Sequence, residues 1–116
     1  MEQKQMMRNN EGKPKLSFVL DFPHSLGEVA RVMEMGAEKY SAHNWKEGGP
    51  IRDSIDSLLR HLTAFNNCED NDPESGLSHL AHVICNAAFI MENYHRYGGA
   101  FDDRDWGNAT DEEMNW

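Results

Sequence analysis

Gly76-Leu77-Ser78-His79-Leu80-Ala81-His82-Val83-Ile84-Cys85-Asn86-Ala87-Ala88-Phe89-Ile90-Met91 reads as a helix that is apolar nearly all round. At roughly 100° per residue, His79, His82 and Asn86 stack on one stripe. Leu77, Leu80, Ala81, Ile84, Ala88 and Met91 form the opposite face, and Val83, Phe89 and Ile90 fill the flanks. Helices of this kind are normally buried, and buried polar groups need partners. The stripe therefore has two readings: a lined polar pocket, or core residues satisfied by neighbouring backbone.

Outward from this stretch, the helical pattern runs from about Glu74 to Tyr97 and stops at Gly98-Gly99. A second helix is expected from Pro50, a good first-turn residue after Gly48-Gly49. Its stripe is Ile51, Ile55, Leu58, Leu59, Leu62 and Phe65, fading at Asn66-Asn67. An earlier helix follows Pro23, where Ser25-Leu26-Gly27-Glu28 has the form of a capping box. Val29, Met33, Ala37 and Tyr40 carry it to about Tyr40. Leu16-Ser17-Phe18-Val19-Leu20 reads as a short strand or an extended segment. Residues 1–14 form a polar arm, and residues 98–116 a peripheral acidic tail with room for one short helix. Three apolar-striped helices without a convincing sheet predict a single all-α domain over 1–116. The later two helices carry more apolar surface than three helices cover. A homodimer or homotetramer is the expected remedy.

The chain has 116 residues and a formal net charge of −9. That charge argues against a nucleic acid polymer as partner, since no basic surface is available to hold it. A nucleotide is still compatible, because bound divalent cations can supply positive charge. Cys68 and Cys85 are the only cysteines, too few and too far apart for a disulfide framework or a zinc site. Cys85 should pack as a small apolar residue. With no signal peptide and no run of about 18 apolar residues, no membrane association and a cytoplasmic location are expected.

Three clusters carry candidate chemistry. Cys68-Glu69-Asp70-Asn71-Asp72-Pro73-Glu74-Ser75-Gly76 is dense in oxygen donors and opens into the helix bearing the histidines. Its carboxylates suit Mg²⁺ or Mn²⁺, and Mn²⁺ also accepts imidazole. The bland alternative has Asp72 or Glu74 capping the helix N-terminus. His61 lies at the edge of the second helix's stripe and can converge with His79, His82, Glu69 and Asp72, while Arg60 points away. Glu69, Asp72, His61, His79 and His82 are thus the candidate metal ligands, and the three histidines the candidate catalytic bases. In the turn after the first helix, Lys39 offers a charge to phosphate, Tyr40 and Trp45 offer stacking faces, and Asn44 can read a base edge. The alternative for Trp45 is an aromatic plug between helices. Glu34 and Glu38 form an i, i+4 pair that reads as a solvated face.

The chain resembles the phage-encoded dATP/dGTP diphosphohydrolases, often called MazZ-like, a family related to the MazG-type all-α nucleotide pyrophosphatases. The resemblance runs from about Gly12 to Glu92. It rests on Gly12-Lys13-Pro14-Lys15, Glu28-Val29-Ala30-Arg31-Val32, Gly36-Ala37-Glu38-Lys39-Tyr40, Asn44-Trp45-Lys46-Glu47-Gly48, Arg60-His61-Leu62, Glu69 with Asp72-Pro73-Glu74-Ser75-Gly76, and His79-Leu80-Ala81-His82 with Asn86. It implies a MazG-like helical bundle completed by further copies. It also implies a Mg²⁺- or Mn²⁺-dependent enzyme that cleaves a purine deoxynucleoside triphosphate to the monophosphate and pyrophosphate. MazG-type enzymes bind metal through an E-E-x-x-E run and a later E-x-x-D. At comparable spacing this chain has Arg60-His61-x-x-Ala64 and His79-x-x-His82. Either Glu69 and Asp72, with Glu34 or Glu38, hold the metals, or histidines do, or hydrolysis is lost.

The reading from sequence is a (d)NTP diphosphohydrolase. Lys15 and Lys39 are its candidate phosphate contacts, and Trp45, Asn44 and Tyr40 its candidate base contacts, with Asn86 on the polar stripe. A protein that binds or sequesters nucleotides without turnover is the alternative.

Overall fold

The computed structural model describes residues 2–104. It is all-α, as the sequence predicts: α1 (Pro23–Lys39), α2 (Ile51–Asn66) and α3 (His79–Tyr97), with 3-10 segments at Leu16–Asp21 and Asn44–Glu47. Among the described residues there is no strand, only an isolated antiparallel bridge between Asn71 and Ser78. No helix among them is long and apolar enough to cross a membrane.

The helix starts differ from the sequence reading, each for a local reason. Residues 16–21 coil rather than extend, because no neighbouring strand is present to take their backbone groups. Bonds spanning three residues satisfy them instead: the Phe18 N–H reaches Lys15 O at 3.1 Å and the Phe22 N–H reaches Val19 O at 3.1 Å. That coil runs into α1, which begins at Pro23 with no side-chain cap. The expected capping box at Ser25 therefore falls inside the helix, where Glu28 lies 4.0 Å from Arg31. α3 begins at His79, five residues later than the pattern from Glu74 suggests. Residues 70–78 close on themselves instead. The Asp72 N–H donates to Leu77 O at 2.8 Å, the Gly76 N–H to Asp72 O at 2.7 Å, and the His79 N–H to Asp70 O at 3.0 Å. Ser78 then caps α3, accepting the Leu80 N–H on its Oγ at 3.2 Å. At the far end Gly98, at φ 59°, terminates α3 where the sequence places the stop.

α2 starts after Pro50, which offers no side-chain cap. Its free N–H groups are taken by the segment beyond α3: Ile51 N–H by Phe101 O at 3.0 Å and Arg52 N–H by Asp103 Oδ1 at 2.9 Å. The start of the expected peripheral tail is thus a working cap for α2. Asp105, Asp111, Glu112 and Glu113, and any short helix there, lie outside the described residues.

α3 packs against both other helices. Val32 of α1 meets Ala81 and Cys85 of α3, with Val29, Leu77 and Phe89 closing around them. Cys85 packs as expected, with its thiol directed at Val29 O at 3.7 Å. His79 on the polar stripe and Ala81 on the apolar face both turn inward, at 3% and 2% exposed, whereas Ile84 and Met91 are 44% and 73% exposed. The expected apolar face therefore divides: Leu77 and Ala81 pack with Val32 of α1, while Leu80, Ile84, Ala88 and Met91 stay exposed.

Candidate functional site

The inward stripe of α3 meets His61 of α2. His61 Nδ1 and His79 Nδ1 lie 2.8 Å apart. At that distance one ring must carry the proton and the other accept it. The His61 ring also stacks flat on His82, with centroids 4.3 Å apart and planes at 4°. His82 Nε2 lies 2.9 Å from Ser75 Oγ, and the same oxygen accepts the Leu77 N–H at 3.1 Å. Asp72 Oδ2 accepts the Ser75 N–H at 2.9 Å. Asp72 therefore caps its own turn and not α3.

The three histidines and two carboxylates that the sequence singled out sit together. One donor atom each from His61, Asp72 and His79 falls within 4.8 Å of the others. Glu69 Oε2 lies 3.4 Å from His79 Nε2. That nitrogen is buried without a hydrogen-bond partner, since the carboxylate sits out of line. Asn86 braces the stripe, donating to His82 O at 2.9 Å and to Ser57 Oγ of α2 at 3.3 Å.

Electrostatics favour neutral imidazoles at His61 and His82. Burial pushes the proton affinity of His61 down, helped by the nearby His82, against the opposing pull of Asp72. Burial also lowers His82, again partly offset by Asp72. For Asp72 burial acts to raise the pKa, but it is outweighed by the Ser75 N–H and hydroxyl and by the two histidines, so the carboxyl is held below its ordinary value. A neutral His61 beside an ionised Asp72 offers the kind of donor atoms that a cation can take.

The aromatic turn approaches from the other side. Trp45 stacks on Phe89 of α3 at 4.8 Å and 14°, so it does act as a plug between elements. Its carbonyl is held by Asn93 Nδ2 at 2.8 Å. Tyr40, Asn44, Trp45 and His82 together line a cavity of about 200 Å³ that runs along α1.

A family model, dATP/dGTP diphosphohydrolase, N-terminal, matches residues 3–104. The chain belongs to that family. It is also 35% identical over 101 residues to a protein of Salmonella phage PMBT28 named dATP/dGTP diphosphohydrolase, an alignment covering 87% of this chain and 33% of the relative. The chain thus spans about a third of the length of the curated relative it matches. No solved structure is significantly similar to it.

Within this family domain, the remaining sequence candidates sit apart from the histidines. Lys39 Nζ lies 3.3 Å from Glu74 Oε1 and over the Tyr40 ring, bridging the end of α1 to the acidic loop. Lys15 lies over Phe18 on the N-terminal segment. Glu34 and Glu38 are exposed on α1. Sequence reasoning missed Ser75 and Ser57. Ser75 was recoverable, because Asp-Pro-Glu-Ser is a turn signature in which the aspartate oxygen reaches a later N–H. Ser57 carries no such signal.

Proposed function

We propose that this domain hydrolyses a purine deoxynucleoside triphosphate, dATP or dGTP, to the monophosphate and pyrophosphate, with Mn²⁺ or Mg²⁺ as cofactor. The observation that carries the reading is the 200 Å³ cavity in which Tyr40, Asn44 and Trp45 meet His82, next to the His61–His79–Asp72 group. Membership of the family and the printed name of the phage relative support the same substrate class.

Two imidazoles and a carboxylate form a mixed nitrogen and oxygen donor set, which suits Mn²⁺ better than Mg²⁺. The partnerless His79 Nε2 fits this use, because a carboxylate beside it, here Glu69 at 3.4 Å, can orient a ligating imidazole through its other nitrogen. When bound, the cation offsets phosphate charge and acidifies water. His61, His79 and Asp72 are the residues that hold it. His82, kept neutral and positioned by Ser75, takes the proton from the water that attacks the α-phosphorus. Lys39 exchanges Glu74 for the phosphates, and Lys15 is the second candidate contact for them. The base lies between Tyr40 and Trp45, with Asn44 at its edge.

The same reading includes a homodimer or homotetramer. Leu59, Ile84 and Met91 on the outer faces of α2 and α3 are 50%, 44% and 73% exposed. Large apolar side chains left exposed on two neighbouring helices suit an interface, and a second copy would cover them. Light scattering tests this part: a mass of one chain contradicts it.

The enzymatic reading is tested by supplying each dNTP with Mn²⁺ or Mg²⁺ and separating the products. Monophosphate and pyrophosphate from dATP or dGTP support it, and their absence from every triphosphate defeats it.

A further inference from the structure

Gly36 lies inside α1, three residues before its end. A glycine in a helix interior lowers stability relative to alanine, because it has more backbone freedom to lose. Two structural reasons ordinarily justify one, and neither applies. Gly36 is not among the glycines with positive φ. A Cβ built on it meets nothing within 4 Å, so no neighbour requires the missing side chain. Gly27, in the same helix, also has open space, but Gly27 is exposed and its space is solvent. Gly36 is partly buried, and it forms part of the wall of the 200 Å³ cavity with Ala37, Tyr40, Trp45 and His82.

We infer that Gly36 sets the size of the base this cavity admits. Without a side chain, the α1 backbone itself becomes the wall against which a bicyclic base lies. A methyl or larger group there takes space from a purine before it affects a pyrimidine. The inference rests on the reading of the cavity as the base pocket. It adds a specificity-determining residue that contributes through the volume it leaves open.

The test uses Gly36→Ala and Gly36→Leu. Alanine and leucine have nearly equal helix propensity, so both remove the glycine penalty and should raise Tm by about 4 °C. Binding of the α,β-methylene analogues of dATP, dGTP and dCTP is then measured by calorimetry in the presence of Mn²⁺. The expected result is a stepwise loss of purine affinity, reaching about tenfold or more with leucine, as overpacking of a fitted site ordinarily gives. The dCTP analogue should lose less. Should leucine unfold the chain, the alanine variant decides by the same comparison. Unchanged purine affinity with a raised Tm overturns the inference. So does a lowered Tm with equal losses for all three analogues, which marks a structural role. If wild-type protein binds purine analogues in this Gly36-dependent way yet hydrolyses nothing, the hydrolytic reading fails and the role of Gly36 stands. If it binds none of the analogues, Gly36 has no such role.

Discussion

His61 Nδ1 on α2 and His79 Nδ1 on α3 face each other at 2.8 Å, and one donor atom each from His61, His79 and Asp72 lies within 4.8 Å of the others. The arrangement serves either as a hydrogen-bonded tie between two helices or as a pair of ligands to one cation. The two uses differ in protonation, since one ring must carry the Nδ1 proton in the tie and neither does in the ligand pair.

Substituting His79→Ala separates these uses. His79 is buried, so its loss should cost about 1–3 kcal/mol of stability while the helices persist. Activity toward dATP or dGTP should fall by about 100-fold or more. Urea unfolding and product release measured on the same preparation check both. A variant that loses its helical circular dichroism would show that the network is mainly structural.

Asp72→Asn retains an oxygen to accept the Ser75 N–H, so stability should change by under about 1 kcal/mol. The lost charge should weaken Mn²⁺ binding by about tenfold to 100-fold. Calorimetric titration of the metal, with wild type alongside, measures this.

Stability should depend on pH in a direction set by three groups. His61 and His82 bind protons less readily in the folded chain than at their ordinary value of 6.5. Between the lowered folded values and 6.5 the unfolded chain holds more protons, so stability rises with pH across that window. It is lost as pH falls through 6.5 toward the folded values. Asp72, held below its ordinary 3.8, acts in the same sense at still lower pH. Urea midpoints taken with chelator from pH 8 to pH 5 should fall, and the His61→Ala variant should show a shallower fall. A flat profile contradicts the assigned burial of these rings.

The two cysteines should differ in reactivity. Burial pushes the Cys85 thiol up to about 11, whereas Cys68 is exposed. An aromatic disulfide reagent should titrate one thiol in the native chain and a second only after unfolding.

Much of this was legible in the sequence, for identifiable reasons. Helical periodicity and the glycine stop at Gly98 located α3, and the spacing of His79, His82 and Asn86 put them on one stripe. Which part of the apolar face stays open was not legible. Ile84 and Met91 were indistinguishable from Leu77 and Ala81 on the same face, because hydrophobicity alone does not say which residues a neighbouring helix covers. Residues 74–78 read as the first turn of α3 because Glu74 and Ser75 are compatible with a helix start, whereas they close the loop of residues 70–78. Its own hydrogen bonds, from Asp72 to Leu77 and from His79 to Asp70, override that local preference. The caps on α2 come from Phe101 and Asp103, about fifty residues away, which no local pattern announces.

The central claim is that the imidazoles of α2 and α3 and the loop carboxylate hold the catalytic cation. Crystals soaked with Mn²⁺ and the α,β-methylene analogue of dGTP test it most directly. The account predicts an anomalous peak bonded to His61, His79 and Asp72, with the purine between Tyr40 and Trp45. A peak held by Glu34 and Glu38, or by carboxylates alone with the histidines still bonded to each other, would contradict it.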